Sequence, residues 1–405
     1  MIAAAMRSLA MGAVAALCAA LAGCGGGGGG GGNSMTAPMP TQNVQAVTVD
    51  KGPGGFVNIL FTSVTICAPG ASSNCQTVDH IQVDTGSSGL RIIASVLSPA
   101  LALRQQTDAN GNPVVECAQF VDGFSWGPVK IADVRLAGEV ASSAAVQIIG
   151  DPAFTTVPSS CSNTGPPENT VDTFGANGVL GIGLFVQDCG DICAQSAIPG
   201  AYYVCTAASC QPARVALAQQ VPNPVAQFAT DNNGVVITMP AIPATGAASA
   251  SCSLIFGIGT QANNATSGVT VLGTDPDTGF ITTVLNNQTY TTSYIDSGAN
   301  LLSFGSAVLP ACPPPDGDFY CPATTQSLTA TMRGGNGASV NVNFSVANAE
   351  MLVQDPTLYA FNDLAGRSSD PTSFAWGLPF FYGRSVYTAI EGRSTPVGPG
   401  PYYAF

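Results

Sequence analysis

The sequence predicts an all-β protein made of two similar lobes with a cleft between them. Only 9% of the residues are charged and 46% are apolar, which is typical of a loop-rich β protein outside the cytoplasm. Short β-branched runs alternate with turn residues, whereas helical patterns are scarce. A strand that ends in an acid, a small hydroxyl residue and a glycine occurs once in each half of the chain, at Asp84 and at Asp296. This duplication indicates two equivalent lobes.

The first residues are expected to be a targeting signal. Arg7 supplies a positive charge before the apolar stretch Leu9 to Leu21, which is too short to remain as a membrane span. The stretch ends in Leu-Ala-Gly before Cys24 and resembles the lipobox of bacterial lipoproteins. We therefore expect a signal peptide at residues 1–23 and a lipid on the sulfur of Cys24, with ordinary secretion as the alternative. The lipobox implies a lipid-anchored protein of the bacterial cell envelope, in the outer membrane or on the periplasmic face.

A glycine run, Gly25 to Gly32, follows the expected lipidation site and leads into a polar segment that contains proline. Such a composition cannot bury apolar surface, so we expect residues 24–43 to form a lipid anchor and a flexible tether. Beyond the tether we expect an N-terminal β lobe at residues 44–235 and a C-terminal β lobe at residues 236–405.

The strand predictions rest on β-branched runs bounded by turn residues. Strands are expected at Phe56–Phe61, Gln82–Val83, Ala141–Ile149, Gly234–Thr238 and Leu254–Phe256. The run from Thr282 to Thr291 predicts a hairpin with an Asn-Asn turn that leads into the strand carrying Asp296. Helices are expected only from Pro212 to Gln220 and from Pro224 to Thr230.

The cysteines indicate an oxidising compartment. Two of the 13, Cys18 and Cys24, belong to the leader and the anchor. Four pairs bracket short loops and are expected to form disulfides: Cys67 with Cys75, Cys189 with Cys193, Cys205 with Cys210, and Cys312 with Cys321. A longer disulfide is expected between Cys117 and Cys161, which leaves Cys252 free and buried. Spacing alone does not settle the connectivity, and a zinc site built from the second and third short pairs is the alternative.

The composition excludes several classes of function. The chain has one histidine, His80, so a Ser-His or Cys-His nucleophile could be built only on that residue, which we expect to lie in a strand or at the surface. With 11 lysines and arginines and a formal net charge of −13, no nucleic-acid partner is expected. Asp277 begins a third Asp-Thr-Gly, but it does not follow a hydrophobic strand and therefore predicts a turn.

The duplicated motif points to two carboxylates brought together at glycine-lined turns. Glycine permits both a tight turn and the close approach of the two copies. Two carboxylates in contact can share one proton and activate a water molecule between them. We therefore expect Asp84 and Asp296 to be catalytic residues that cleave an amide bond. The residues expected to support them are Thr85, Gly86, Ser87, Ser297 and Gly298.

The segment from Val83 to Leu90 resembles the first active-site loop of the pepsin-like aspartic proteases, and the segment from Ile295 to Leu302 resembles the second. The resemblance extends from Gln42 to Phe405 and includes an uncharacterised bacterial family of exported pepsin-like proteins. It implies a bilobal pepsin-like fold, aspartic endopeptidase activity on an extended polypeptide, and a monomer. No cofactor and no metal are implied.

Three further segments carry the same resemblance in the family's order. Phe120 to Gly123 resembles the tip of a flap hairpin, Asn177 to Gly183 resembles the support of the first acid loop, and Trp376 to Phe381 resembles the support of the second. The flap residues expected to close over the substrate are Phe120, Asp122, Gly123 and Trp126.

Three positions depart from the family pattern. Phe120 stands where the family has a flap tyrosine, Pro379 stands where it has a glycine, and Ala299 lacks the hydroxyl that would bond the second acid. Proline fixes φ and removes an N–H group, and loss of a hydrogen bond to a carboxylate disfavours its ionised form. The alternative function is therefore a non-catalytic, lipid-anchored envelope protein that binds a peptide or a protein in the same cleft.

Overall fold

Residues 43–405 are described by the computed structural model, and they confirm the expected all-β class, with 42% strand and 9% helix. The expected signal peptide, Cys24 and nearly all of the tether lie outside the described residues. None of the helices in residues 43–405 has the length and apolar character needed to cross a bilayer.

Residues 43–405 contain twenty-five strands. In chain order, β1 to β13 are Val44–Val49, Leu60–Cys67, Cys75–Asp84, Ser88–Ile93, Arg104–Gln105, Val114–Gln119, Phe124–Leu136, Glu139–Ile149, Gly178–Ile182, Tyr202–Cys205, Cys210–Pro212, Gly234–Thr238 and Ala250–Phe256. The strands β14 to β25 are Val271–Gly273, Ile281–Leu285, Gln288–Ile295, Leu302–Phe304, Gln326–Arg333, Ser339–Val346, Ala365–Gly366, Ser373–Trp376, Ser385–Ala389, Ser394–Thr395, Gly398–Pro399 and Tyr402–Ala404.

Helical segments are single turns. The α-helical turns are Ser159–Ser162, Val171–Phe174, Asp191–Gln195 and Ala349–Leu352. The 3-10 turns are Ala94–Val96, Leu217–Gln219, Pro224–Gln227, Ala262–Asn264 and Leu378–Phe380.

Six strands of the N-terminal half close into a barrel, in the order β2, β3, β9, β4, β8 and β7, with β7 pairing back to β2. Closure leaves these strands without a free edge and fills the interior with side chains such as Val64, Ile81 and Leu180. Strand β3 runs parallel to β9, and Asp84 is its last residue. The barrel thus fixes the first acid at the end of a buried strand.

The C-terminal half contains a seven-stranded sheet in the order β19, β18, β15, β16, β21, β17 and β20. Strand β16 runs parallel to β21, as β3 runs parallel to β9, and Asp296 follows directly after β16. Phe374 stacks between Phe304 and Trp376, with ring centroids 4.5 and 4.3 Å away. This aromatic stack stabilises the strands that hold the second acid.

The two halves are joined through a shared sheet. Strand β1 pairs with β2 of the barrel on one side and with β13 of the C-terminal half on the other. The sheet continues through β12, β22, β25 and β14. Continuous backbone pairing across the two halves holds the acid-bearing strands in a defined relation.

Several local predictions are confirmed. The hairpin turns at Asn286 and Asn287, whose φ values of 51° and 64° suit a two-residue turn of the favoured twist. All five expected disulfides are present, so the zinc alternative is wrong: its four sulfurs are bonded in pairs. Cys252 is the free cysteine of the described residues and is partly buried, and its burial raises the pKa of the thiol to about 12.

Three local predictions are wrong, and one of them is the helix expected from Pro224 to Thr230, which is only the 3-10 turn Pro224–Gln227. The strand expected at Phe56–Phe61 begins only at Leu60, because Asn58 adopts a left-handed φ of 53° that interrupts an extended run. The helix expected from Pro212 to Gln220 is reduced to the 3-10 turn Leu217–Gln219. The backbone of this segment forms hydrogen bonds with other parts of the chain instead of within a helix; for example, the N–H of Val215 donates to the carbonyl of Cys193 at 3.0 Å.

Candidate active site

Asp84 and Asp296 meet between the two halves of the protein, where the glycine of each loop lies against the carboxyl group of the other loop. Glycine is required in both loops. A Cβ added at Gly86 would lie 2.5 Å from Asp296 Cγ, and one added at Gly298 would lie 2.5 Å from Asp84 Oδ1. Any side chain at either glycine would therefore push the two acids apart.

The two loops are braced by reciprocal hydrogen bonds between Thr85 and Ser297. The Thr85 N–H donates to Ser297 Oγ at 3.1 Å, and the Ser297 N–H donates to Thr85 Oγ1 at 2.9 Å. Ser297 Oγ in turn donates to the carbonyl of Val83 at 2.8 Å. Both side chains are buried, so these bonds are shielded from water and hold the two loops in register.

The two acids have unequal surroundings. Each carboxylate accepts a backbone N–H at 2.7 Å, from Gly86 to Asp84 and from Gly298 to Asp296. Asp84 also accepts a hydrogen bond from the Ser87 hydroxyl. Burial raises the pKa of Asp296 well above its ordinary value, the negative charge of Asp84 raises it further, and the N–H groups of Gly298 and Gly86 oppose the shift. The arrangement favours the shared proton on Asp296.

A glycine supports each acid loop from behind. A Cβ at Gly181 would lie 2.7 Å from Ser87 Oγ, and a Cβ at Gly377 would lie 2.6 Å from the carbonyl oxygen of Ala299. The glycine that lies against the second acid loop is therefore Gly377, and the residue at position 379 does not need to be a glycine. Pro379 lies two residues later, in the first turn of the 3-10 segment Leu378–Phe380, where proline is well tolerated.

A first cavity of about 310 Å³ lies on one side of the acids and is mainly apolar. Its apolar lining includes Phe56, Ile59, Phe120, Phe174, Val179 and Leu301. Asp122 and Glu168 also line it, at the edge formed by the hairpin of β6 and β7. A bulky apolar side chain fits such a lining.

A second cavity of about 280 Å³ adjoins the acids. Both cavities are lined by Gly86, Ser87, Val121, Tyr294 and Asp296, whereas Asp84 lines only the first, so the two cavities meet at the acid loops and together form the cleft. None of the residues lining either cavity is basic. The cleft therefore offers no positively charged side chain to a ligand.

The third Asp-Thr-Gly, which begins at Asp277, lies in an exposed turn and not at the pair of acids. The Asp277 N–H donates to Asp275 Oδ1 at 3.1 Å in an exposed turn. Its neighbours Thr278 and Gly279 line the second cavity, opposite Phe185. Asp277 itself is not among the residues lining the cleft.

The expected flap hairpin is formed by β6 and β7, closed by a hydrogen bond from the Phe120 N–H to the Gly123 carbonyl at 2.8 Å. Phe120 and Asp122 line the first cavity, and Val121 at the tip is 95% exposed. The expected role of Trp126 at the cleft is wrong. Its side chain is buried behind the hairpin, where Nε1 donates to the carbonyl of Phe154 at 2.9 Å.

Sequence analysis missed three residues of the site. Gln82 Nε2 donates to the carbonyl of Gly298 at 2.9 Å, and Tyr294 lines both cavities. Each lies on a strand, two residues before an acid in the sequence, so strand alternation could have placed both at the cleft. Asn58 is the third, and nothing local in the sequence marks it. His80 lies between Asp50 and Asp79 and does not line either cavity.

Comparison with known protein families assigns the chain to a family. A family model described as "Protein of unknown function (DUF3443)" matches residues 39–405, so the chain belongs to this family. The expectation that it belongs to the pepsin-like aspartic proteases is therefore wrong. Short acid-hydroxyl-glycine loops reflect the local requirements for joining two carboxylates and do not by themselves identify a family. No curated protein matches the chain.

Proposed function

We propose that this member of the DUF3443 family hydrolyses peptide bonds with a water molecule activated between Asp84 and Asp296. The observation that carries the proposal is the juxtaposition of these two carboxyl groups at the facing glycine loops, where burial and the charge of Asp84 raise the pKa of Asp296. Two carboxyl groups that hold one proton between them provide a base and an acid at the same point, which is what addition of water to an amide requires.

The proposed mechanism uses the inequality of the two acids. Ionised Asp84 takes a proton from the water, and its oxygen adds to the scissile carbonyl carbon while protonated Asp296 donates to the carbonyl oxygen. The tetrahedral intermediate then collapses, the C–N bond breaks, and Asp84 passes its proton to the leaving nitrogen. The carbonyl re-forms as Asp296 recovers its proton, so the starting state of the dyad is restored.

The proposed substrate is an extended polypeptide. Support comes from the two cavities that meet at the acid loops and from the exposed tip of the hairpin, where Val121 lines both of them. We propose cleavage within a chain rather than at its end, by a monomer with two β lobes and without a metal or organic cofactor. We also propose that lipid on Cys24 attaches the protein to a membrane of the bacterial envelope; Cys24 lies outside the described residues.

The test is cleavage of an unfolded protein such as reduced casein by purified protein and by its asparagine variants. Asp84→Asn and Asp296→Asn should each lower the rate by about a thousandfold or more, and the double variant should be little worse than either single one. Asp277→Asn is the matched control, because it changes an Asp-Thr-Gly in an exposed turn, and it should retain activity. Full activity of Asp84→Asn would refute the catalytic assignment.

Two observations favour the alternative of a binding protein. Phe120 offers no hydroxyl at the hairpin tip, and Ala299 offers none beside Asp296. If the wild-type protein cleaves no unfolded substrate from about pH 3 to pH 8, the range over which such a dyad can hold one proton, peptide binding in the same cleft becomes the better assignment. Binding of an unfolded peptide that is lost in a variant blocking the first cavity would then support it.

A further inference from the structure

Asn58 is a fully buried asparagine in a left-handed conformation, with φ at 53°. Its Nδ2 donates to the carbonyls of Asn300 and Phe361, each at 2.9 Å. Its Oδ1 accepts from the Phe361 N–H at 2.8 Å and from the Tyr382 hydroxyl at 3.1 Å. The amide therefore uses both donors and both acceptor positions. All its partners belong to the C-terminal half of the chain.

The contact between Asn58 and Asn300 is reinforced in the reverse direction. Asn300 Nδ2 donates to the carbonyl of Val57 at 2.7 Å. Phe56 and Ile59, on either side of this contact, line the first cavity from the N-terminal half, and Asn300 lines it from the C-terminal half. The pair thus joins the two walls of the first cavity.

Asn300 lies four residues after Asp296 and has an equivalent in the other loop. Ser88 lies four residues after Asp84, and its carbonyl accepts a hydrogen bond from Arg91 Nη1 at 2.8 Å. Arg91 is buried and paired with Glu116. In each acid loop, a buried side chain therefore donates a hydrogen bond to the carbonyl of the residue four positions after the acid. The donor of the first loop comes from its own strand, whereas the donor of the second comes from the opposite half of the chain.

We infer that Asn58 is a positioning residue for the acid pair: by holding the carbonyl of Asn300 it sets the position of Asp296 against Asp84. This inference rests on the proposed function for its catalytic meaning. The interaction between the two carboxyl groups depends steeply on their separation, so a small shift of the second loop changes how the pair holds its proton. Asparagine suits the place because it tolerates a left-handed φ and supplies both donors and acceptors.

The test replaces Asn58 by glycine, which adopts the same φ without strain and removes only the side-chain hydrogen bonds. The matched control is Asn233→Gly. Asn233 is also buried, and its amide donates to the carbonyls of Ile258 and Ser394, each at 3.0 Å, and accepts from the Ile258 N–H at 2.7 Å. It lines neither cavity. Both variants lose a buried amide, but only one loses contact with an acid loop.

Two readouts separate positioning from general destabilisation. The first is the titration of the aspartate carboxyl carbons followed by NMR, in which Asn58→Gly should move the midpoint of the Asp296 titration by about 0.5 pH unit while Asn233→Gly leaves it unchanged. The second is steady-state kinetics on an unfolded peptide, in which Asn58→Gly should lower kcat by about tenfold to a hundredfold with little change in KM.

The outcomes also distinguish this inference from the proposed function. A shifted titration in an inert wild-type protein would keep the positioning role and reject the hydrolase. An active wild type whose Asn58→Gly variant matches Asn233→Gly in both readouts would keep the hydrolase and overturn the positioning role. If the glycine variant does not fold, Asn58→Asp carries the same test, because it keeps the size and the acceptors and loses the two N–H donors.

Discussion

The Ser87 hydroxyl donates a hydrogen bond to the Asp84 carboxylate, and the matching position three residues after Asp296 is occupied by Ala299. A hydrogen bond to a carboxylate stabilises its charged form. The difference between a serine and an alanine therefore makes the surroundings of the two acids unequal and favours the proton on Asp296. The raised pKa of Asp296 agrees with this assignment.

Supplying the missing donor should shift the pH dependence of activity. In Ala299→Ser a hydroxyl beside Asp296 should stabilise its ionised form and lower its pKa, so the alkaline limb of kcat/KM should move by about one pH unit to lower pH. Ser87→Ala should instead lower kcat/KM, because the Asp84 carboxylate loses a hydrogen-bond donor. Rate profiles of both variants provide the measurement, and a shift of the alkaline limb of Ala299→Ser to higher pH would contradict the assignment.

The reciprocal bonds between Thr85 and Ser297 should be strongly coupled. Thr85→Val and Ser297→Ala each leave a buried N–H without an acceptor, so each should lower the free energy of unfolding by about 1–3 kcal/mol. Urea unfolding of the singles and the double should give a coupling energy of about 0.5–3 kcal/mol.

A pair of surface threonines provides the control for this double-mutant experiment. The hydroxyls of Thr65 and Thr77 lie 2.7 Å apart on exposed positions, and their removal should change the free energy of unfolding by less than about 0.5 kcal/mol. If the two pairs prove equal, the Thr85–Ser297 contact is not a brace between the halves.

Asp363 should make the folded protein less stable as the pH rises. It is buried, one of its carboxyl oxygens has no hydrogen-bond partner among the described residues, and burial raises its pKa to about 6. The pKa of Asp363 is higher in the folded state than in the unfolded state, so the folded protein binds this proton more tightly. The stability that protonated Asp363 provides is therefore present below about pH 4 and is lost as the pH rises through about 6. The change is on the order of 3 kcal/mol at most.

Asp363→Asn removes this ionisation, so its stability relative to wild type should increase between about pH 4 and pH 7 in urea unfolding. For Asp370, the stability of the Asn variant relative to wild type should change with pH in the opposite direction. It is exposed, and hydrogen bonds from the N–H and hydroxyl of Thr372 lower its pKa, so Asp370→Asn should lose relative stability over the rising limb of its titration. A flat profile for Asp363→Asn would show that its carboxyl is not desolvated.

The long disulfide should contribute most to stability. Cys117 and Cys161 are 44 residues apart, whereas Cys67 and Cys75 are 8 apart. The chain-entropy argument gives about 4 kcal/mol for the first and about 2.5 kcal/mol for the second, so the paired Cys→Ala variants should differ in that order in urea unfolding. Equal losses would mean that local packing, rather than loop closure, determines the effect.

Lipidation is testable through Cys24, which lies outside the described residues. Cys24→Ala should abolish incorporation of labelled palmitate and release the protein from the membrane fraction, whereas Cys18→Ala should have neither effect, because Cys18 belongs to the expected leader. Membrane association that persists in Cys24→Ala would rule out the lipoprotein assignment.

Features that depend on neighbouring residues could be predicted from the sequence. The hairpin at Asn286 and Asn287 and the four short disulfides follow from turn chemistry and from loop length. The all-β class follows from composition and alternation. The recurrence of an acid before a hydroxyl and a glycine identified Asp84 and Asp296 as partners, because only a close contact between the two copies would need a glycine in both.

The tertiary structure alone decided features that join distant residues. The sequence suggested a strand through Asn58, whereas its partners Asn300 and Phe361, found far along the chain, hold it in a left-handed conformation. Trp126 belongs to the hairpin in sequence but packs behind it, because the Phe154 carbonyl and the Tyr203 ring lie on that side. Local pattern determines which residues can form a strand or a turn, while the register of strand pairing between the two halves determines which of them meet at the cleft.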